Sequence, residues 1–142
     1  MMISSKGRYA LRVMIDLAQH YTGENIPLKE IAARQEISQK YLESIVVILS
    51  KAGFVKATGG KGGGYKLSKE PSQYTVKSIL KLIEGTLAPV ACLENSESIC
   101  QRASKCKTLP MWQEFYKMTN DFFENITIAD LLNNNSSDDY VI

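Results

Sequence analysis

Three cysteines make up the entire cysteine content of the chain, and they fall within one short polar stretch: Cys92, Cys100 and Cys106. An odd count does not suit a disulfide scaffold, and structural cysteines are normally scattered among apolar residues. Polar intervals of seven and five residues between the thiols predict a loop that can wrap around a soft metal centre. The three thiols are therefore the first candidates for cofactor or metal binding.

The spacing favours an iron–sulfur cluster over a structural zinc ion, because zinc sites prefer cysteines separated by about two to four residues. Cluster binding requires a fourth ligand beyond the three thiols. His20 is the only histidine. Its place near the end of the predicted first helix is more typical of a surface residue than of a ligand. Residue type and spacing leave the fourth ligand open.

The composition is ordinary for a globular protein of one domain, with or without an appendage: 142 residues, 44% hydrophobic and 23% charged. No apolar run is long enough to span a membrane, and the N-terminus lacks the hydrophobic block of a signal peptide. We therefore expect a cytoplasmic protein whose thiols stay reduced. The sequence contains no Ser-His-Asp or Cys-His pattern that would indicate an enzyme, and no small-molecule substrate is expected.

The net charge of +2 hides an asymmetry along the chain. Residues 1–86 contain 13 Lys or Arg and 7 Asp or Glu, whereas residues 87–142 contain 4 and 8. From Lys51 to Lys69 five lysines occur with no acid until Glu70. This distribution predicts a polyanionic partner for the N-terminal part, and a merely solvated basic face is the alternative.

The elements that must position these groups begin with three helices. Ser4 or Ser5 can cap the first, Pro27 suits the first position of a short second helix, and Ser38 can cap a longer third helix. Gly53 is placed to end the third helix in the left-handed conformation. A short helix, a tight turn and a longer helix predict a helix-turn-helix.

A hairpin follows directly. Strand candidates at 54–56 and 65–67 flank the glycine-rich segment 58–64, so the hairpin forms a wing beside the helix-turn-helix. The segment lacks the phosphate-binding pattern Gly-x-x-x-x-Gly-Lys-Ser/Thr, and a strand follows it, so nucleotide binding is not expected. At a wing tip, Lys61 and Gly62 can approach a phosphate or the minor groove.

The first turns of the third helix would meet base edges in the major groove. Gln39 can pair with adenine, Lys40 with guanine or phosphate, and Glu43 can accept from the amino group of cytosine. Tyr41 suits either a phosphate contact or a core ring. The candidate DNA contacts of this helix are Ser38, Gln39, Lys40, Tyr41, Glu43, Ser44 and Lys51.

Further helices follow the wing. Thr75 can cap a helix that Gly85 ends, and Pro110 can start a helix rich in aromatic residues. That aromatic helix carries more apolar surface than one neighbour would bury, which predicts homodimerisation, with a helix folded back on its own domain as the alternative. Thr127 and Asp130 resemble a capping box for a last short helix.

The predicted fold class is mainly α with a small β-hairpin: a winged helix-turn-helix followed by a long C-terminal dimerisation helix. The predicted organisation has four parts. They are a DNA-binding domain at 1–86, a cysteine-bearing loop at 87–108, the dimerisation helix and short terminal helix at 109–132, and a poorly ordered tail at 133–142.

Three segments together resemble the family of iron–sulfur regulators typified by IscR, which also includes NsrR and CymR. They are the run Ser-Ser-Lys-Gly-Arg-Tyr-Ala-Leu-Arg at 4–12, the run Ile-Ser-Gln-Lys-Tyr-Leu-Glu at 37–43, and Gly-Gly-Gly-Tyr at 62–65. The resemblance extends over nearly the whole chain, to about residue 132.

The resemblance implies a homodimeric winged-helix repressor in which Cys92, Cys100 and Cys106 hold an iron–sulfur cluster, of the 2Fe–2S type in the IscR branch. In that branch the regulator senses cluster supply and controls cluster-assembly genes. A glutamate matching Glu43 there discriminates between operator classes according to cluster occupancy.

Three positions depart from the family pattern. Leu109 stands where the IscR branch has its histidine ligand, and Arg8 stands where the NsrR branch has a carboxylate ligand. A wing arginine of the IscR branch is replaced near Gly59. The fourth ligand therefore stays open, as do the cluster type, the signal and the operator sequence.

The sequence thus predicts a cytoplasmic, homodimeric transcription regulator, a repressor, that binds operator DNA. It would sense iron–sulfur cluster status and control cluster-assembly or sulfur- and iron-related genes. The alternative is a cluster-free repressor of cysteine metabolism, governed by thiol oxidation or by a partner enzyme.

Overall fold

A computed structural model describes residues 2–94 and 101–134. Within these residues there are six helices and one antiparallel hairpin, with short 3₁₀ turns at Pro71–Gln73 and Ala91–Leu93. In chain order the elements are α1 (Ser5–Gln19), α2 (Leu28–Gln35), α3 (Gln39–Lys51), β1 (Val55–Thr58), β2 (Gly64–Leu67), α4 (Val76–Glu84), α5 (Leu109–Glu124) and α6 (Ile128–Leu132).

The helix-turn-helix consists of α2, a tight turn and α3, packed on α1. Ser38 caps α3 as predicted, its side-chain oxygen accepting a hydrogen bond from the N–H of Tyr41. Pro27 is the N-cap of α2 and not its first helical residue, one position from the prediction. Between the two helices Glu36 adopts a φ of 55°, the left-handed conformation that reverses the chain.

One hydrophobic core joins the helices to the wing. The inner face of α3 is the predicted one, with four aliphatic residues that are almost completely buried. Burying each such side chain contributes about 1.5–3 kcal/mol. The largest contributors to this core include Val13, Met14, Leu17, Ile31, Leu42, Ile45, Val46, Leu49, Val55, Leu67, Ile79 and Ile128.

The wing is the β1–β2 hairpin, in which Val55 lies opposite Leu67. The first strand starts one residue later than predicted. The loop before α2 adds a short third partner, because Ile26 and Tyr65 exchange backbone hydrogen bonds of 2.8 and 2.9 Å. Gly64, with a φ of 148°, permits this approach, since a Cβ there would overlap the carbonyl of Ile26. The base of the wing is thereby fixed to the helical part.

The last helix, α6, returns to the N-terminal part of the chain. Ile128 is fully buried in the main core, and its N–H donates to the carbonyl of Tyr74 at 3.0 Å. The N–H of Val76 donates to the carbonyl of Ile126 at 2.8 Å. The capping box of Thr127 is present as expected. The folded unit therefore combines the winged helix-turn-helix with α6.

One side of α5 packs and the other side is exposed. Tyr116 and Phe123 pack against a small cluster around Leu80, so the aromatic helix does contact its own domain. No residue of α5 is fully buried, and its exposed apolar residues are Met111, Phe115, Met118 and Phe122. Of the tail that was predicted to be poorly ordered, 133–142, residues 135–142 lie outside the described residues. No helix of the described part is both long and apolar enough to cross a membrane.

Candidate nucleic-acid interface and cysteine site

The outer face of α3 is polar and exposed, opposite the buried aliphatic face. The predicted DNA contacts lie along this side, and all of them are exposed: Ser38, Gln39, Lys40, Tyr41, Glu43, Ser44 and Lys51. Ser44 uses its hydroxyl proton within the helix, donating to the carbonyl of Tyr41 at 2.7 Å. Its oxygen can therefore accept from an amino group of a base.

Tyr41, for which the sequence left open a phosphate contact or a core ring, packs its ring within the protein but lies in neither hydrophobic cluster of the described residues. Its ring meets that of Tyr9 edge to face, with centroids 5.6 Å apart, which connects the start of α3 to α1. The Arg12 guanidinium in turn lies 5.2 Å from the centre of the Tyr9 ring. Tyr41 nevertheless remains 36% exposed, so it can pack and contact a phosphate at the same time.

A buried acid fixes the helix before the turn. Asp16, on the apolar side of α1, accepts from Arg34 at 2.8 and 3.0 Å and from Gln35 Nε2 at 2.9 Å. The hydrogen bond to Asp16 raises the pKa of Arg34. Arg12 donates to the side chain and to the carbonyl of Gln35, the last residue of α2. This network sets the position of α2, from which the chain enters α3.

Sequence reasoning did not single out this network. The available signal was an aspartate between Val13 and Leu17, on a helix face that is otherwise apolar. An acid at such a place needs a cationic or hydrogen-bonding partner. Which arginine provides it cannot be read from local spacing.

The wing tip carries Lys61 and Gly62, the two candidate DNA contacts of the wing, and both are exposed. Gly62 adopts a φ of 77°, which suits glycine. Asn25 Nδ2 lies 3.5 Å from the carbonyl of Gly62, and Thr58 Oγ1 lies 3.5 Å from Asn25 Oδ1. These contacts hold the tip near the loop before α2. Lys61 itself makes no hydrogen bond to another of the described residues.

A buried tyrosine closes the base of the wing, and sequence reasoning missed it. The Tyr74 hydroxyl accepts from the N–H groups of Ser68 and Lys69 at 3.0 and 2.9 Å. It donates to the carbonyl of Phe54 at 2.7 Å. Burial raises the pKa of Tyr74. One side chain therefore joins the two ends of the hairpin.

The cysteine loop is described on both sides of its middle part. Cys92 lies in the 3₁₀ turn Ala91–Leu93, and Cys106 lies just before α5; both thiols are half-buried. Cys100 falls outside the described residues. The Thr108 side chain, 3.4 Å from the Cys106 sulfur, is the main cause of a lowered pKa of Cys106, and the backbone at Thr108 lowers it further.

The donor chemistry of this site fits a soft metal centre. A lowered thiol pKa favours the thiolate, the form that binds iron. A hollow of about 650 Å³ lies beside Cys106, bordered by Lys105 and Gln113. Leu109, the first residue of α5, offers no ligand atom. Within residues 2–94 and 101–134, no three His, Cys, Asp or Glu side chains gather into a metal-binding group.

His20, the other residue considered as a ligand, lies at the end of α1. Its Nδ1 is 2.8 Å from the carbonyl of Asp16 and 3.7 Å from the Asp16 carboxylate. Its contacts thus belong to the Asp16 network.

Comparison with known proteins identifies the fold and the family. The family model Rrf2, described as an iron-dependent transcriptional regulator, matches residues 3–134. The HTH-type transcriptional regulator IscR of Yersinia pseudotuberculosis is 36% identical over 134 residues, covering 94% of this chain and 80% of its own length.

Two solved structures are also similar. CymR, the global cysteine regulator of B. subtilis, aligns with a TM-score of 0.76 and 35% identity, over 93% of this chain and 96% of its own. The IscR of T. potens aligns with a TM-score of 0.73 and 32% identity, over 100% of this chain and 93% of its own. The predicted winged helix-turn-helix and the predicted resemblance are confirmed. The chain therefore belongs to the Rrf2 family and is a DNA-binding transcriptional regulator, not an enzyme.

Proposed function

We propose that this regulator is a homodimeric repressor whose operator binding depends on an iron–sulfur cluster held by Cys92, Cys100 and Cys106. The exposed polar face of α3 beside a basic wing is the observation that carries the DNA-binding part. The cluster part rests on the three thiols and on the similarity to IscR. A cytoplasmic location and control of cluster-assembly or other sulfur- and iron-related genes complete the proposal.

In the proposed complex α3 lies in the major groove. Gln39, Lys40 and Glu43 contact base edges, and Ser44 accepts from a base amino group. Glu43 makes binding selective, because phosphates repel its carboxylate unless a base donor compensates.

Other residues contact the DNA backbone. Ser38 and Tyr41 would contact phosphates at the start of α3, and Lys51 would do so at its end. Lys61 and Gly62 bring the wing tip to a phosphate or into the minor groove. These backbone contacts set the orientation of α3 on the duplex.

Homodimerisation is assigned to the exposed face of α5. The four apolar residues there border a hollow of about 740 Å³, together with Glu114, Thr119 and Phe123. A twofold interface on this face would present two α3 helices to two half-sites of an operator. Sedimentation equilibrium tests the assignment: Phe115→Glu should give monomers, whereas Lys117→Glu, on the same helix and outside that hollow, should leave a dimer.

The cysteine loop connects the end of α4 to the start of α5, so it lies between the DNA-binding part and the proposed dimer helix. Occupancy of the site by the cluster would depend on the availability of iron and sulfide. Cys92 and Cys106 would then hold the two described ends of the loop in one arrangement. A coupling of about 1–3 kcal/mol between loop order and operator binding is enough for a useful switch.

Anaerobic purification tests the cluster directly. We expect a coloured protein with visible absorbance and with bound iron and acid-labile sulfide. Cys100→Ala should lose all three signals while keeping its helical circular dichroism, and Lys61→Ala should retain them. A colourless protein without iron or sulfide would overturn the cluster part and leave the DNA-binding part intact.

A cluster-free repressor is the second candidate, favoured by the similarity to CymR and by the lowered pKa of Cys106. In that case operator affinity of the metal-free protein should change after treatment with peroxide, and Cys106→Ser should abolish the change. If a partner enzyme governs the repressor instead, peroxide should have no effect, and adding that partner should alter operator affinity.

A further inference from the structure

Val47 is an apolar residue on the outer, otherwise polar face of α3. It is 47% exposed and belongs to neither hydrophobic cluster of the described structure. Its helix neighbours Val46 and Leu49 are fully buried, so the core of α3 is complete without it. Packing within the fold therefore does not explain a valine at this position.

Helix propensity does not explain it either. A β-branched residue loses side-chain freedom in a helix and is a poorer choice than Lys, Glu or Ala at an exposed site. In α2, α3 and the wing, the exposed large hydrophobic residues are Tyr41 and Val47. The Tyr41 ring packs against Tyr9, whereas Val47 belongs to neither hydrophobic cluster of the described residues.

The position of Val47 continues the row of proposed base contacts. It follows Glu43 by four residues and Ser44 by three, spacings that place side chains on one helix face. With a rise of about 1.5 Å per residue, Val47 lies about 6 Å beyond Glu43 along the helix axis. Base pairs are spaced by about 3.4 Å, so that distance corresponds to one or two base-pair steps.

The apolar feature of the major groove is the C5-methyl group of thymine, and aliphatic or aromatic side chains contact it. We propose that Val47 contacts the C5-methyl group of one thymine in each half-site, one or two base pairs from the pair that Glu43 contacts. A cytosine or purine there offers no such methyl group. The inference rests on the proposed placement of α3 in the major groove, and it adds a specificity determinant to it.

Uracil scanning tests the contact, because uracil differs from thymine only by that methyl group. Duplexes that bind the wild-type protein are first selected from a random library. Each thymine is then replaced in turn by deoxyuridine, and affinity is measured by fluorescence anisotropy. At one position per half-site we expect a loss of about fourfold, the value of one buried methyl group. Val47→Ala should bind the thymine and uracil duplexes equally.

Lys51→Ala serves as the matched control, because a contact with a phosphate does not depend on the methyl group of the base. It should weaken binding to thymine and uracil duplexes by the same factor and keep the fourfold difference between them. Val47→Ala should unfold at or slightly above the wild-type temperature, because alanine is a better helix residue than valine at an exposed site.

Two results overturn the inference on its own. In the first, no uracil substitution changes the affinity, although Glu43→Gln alters the selected sequence. In the second, Val47→Ala loses as much affinity as the wild type when thymine is replaced by uracil. If the library yields no enriched duplex at all, the proposed operator binding falls, and the contact falls with it.

Discussion

The carboxylate of Asp16 and the guanidinium of Arg34 form a two-point ion pair, with hydrogen bonds of 2.8 and 3.0 Å. The Asp16 side chain is 1% exposed and that of Arg34 is 35% exposed, so the two partners are unequal. Losing Arg34 leaves a buried carboxylate, whereas losing Asp16 leaves an arginine that can reach water. The pair fixes α2 on α1 and thus the direction in which the chain enters α3.

Arg34→Met should therefore lower the free energy of unfolding by about 3 kcal/mol, the range for breaking a buried pair. Asp16→Leu alone should cost less. The double variant Asp16→Leu, Arg34→Met should be more stable than Arg34→Met, because it leaves no buried charge without its partner. Urea unfolding followed by circular dichroism measures all three. A loss below about 0.5 kcal/mol for Arg34→Met, the size of an ordinary surface change, would contradict this account.

Gly7→Ala should change the free energy of unfolding in opposite directions with and without the Glu84 side chain. Glu84 Oε1 accepts from the N–H and the hydroxyl of Ser4 at 3.0 and 2.6 Å, at the start of α1. A Cβ at position 7 would overlap that same oxygen. Gly7→Ala should therefore destabilise the wild-type protein, although alanine in a helix is normally about 1 kcal/mol better than glycine.

In the Glu84→Ala background the overlap is gone, and Gly7→Ala should stabilise by about 1 kcal/mol. Thermal or urea unfolding of the four proteins of this cycle gives both values. If Gly7→Ala changed the stability in the same direction in both backgrounds, the Glu84 side chain would not be the reason for a glycine at position 7.

Tyr74→Phe should weaken the base of the wing. It removes the oxygen that the N–H groups of Ser68 and Lys69 and the carbonyl of Phe54 share. Leaving buried polar groups unpaired costs about 1–3 kcal/mol. Amide hydrogen exchange should show the loss first in β1 and β2. If the amides of β1 and β2 were equally protected in Tyr74→Phe and in the wild type, the hydroxyl would not stabilise the hairpin.

The same residue predicts a pH dependence. Burial raises the pKa of Tyr74 above its ordinary value of 10.0, so the unfolded chain loses this proton first as pH rises. The resulting stabilisation is fully present below about pH 10 and is lost as pH rises through the folded pKa. Urea midpoints between about pH 8 and 11 should fall less steeply for Tyr74→Phe than for the wild type, with the other tyrosines contributing equally to both.

Lys61→Ala should reduce the dependence of operator affinity on salt. Removing one phosphate contact lowers the slope of log affinity against log salt by about 1, whatever the sequence of the duplex. Lys117→Ala is the matched control, because Lys117 lies on α5 and pairs with Asp121 at 2.8 Å. An unchanged slope for Lys61→Ala would remove the wing tip from the DNA interface.

Local signals in the sequence predicted most of the elements. Ser38 and Thr75 cap their helices, Gly85 ends α4 with a φ of 81°, and Thr127 forms its capping box. Each of these features depends on residues within one helical turn. The deviations, such as Pro27 and the end of β1, amount to one or two positions.

Contacts between distant residues escaped prediction. Asp16 pairs with a residue 18 positions away, and Tyr74 bonds to a carbonyl 20 positions away. Periodicity indicates which face of a helix is buried but not which element covers it. For the same reason the sequence could not tell that Ile128 completes the core. The cysteine triplet was identifiable by type and spacing alone, whereas the geometry joining its members was not.

The return of α6 to the core has a genetic consequence. The codons after the cysteine loop include that of Ile128, which is fully buried. A nonsense mutation within or before α5 therefore removes part of the core and should yield a degraded product, which for the proposed repressor means full derepression. If the proposed cluster is the signal, alleles that lose sensing but keep DNA binding should arise as missense changes at the cysteine codons. In a selection for constitutive repression, premature stops should be missing from the surviving alleles.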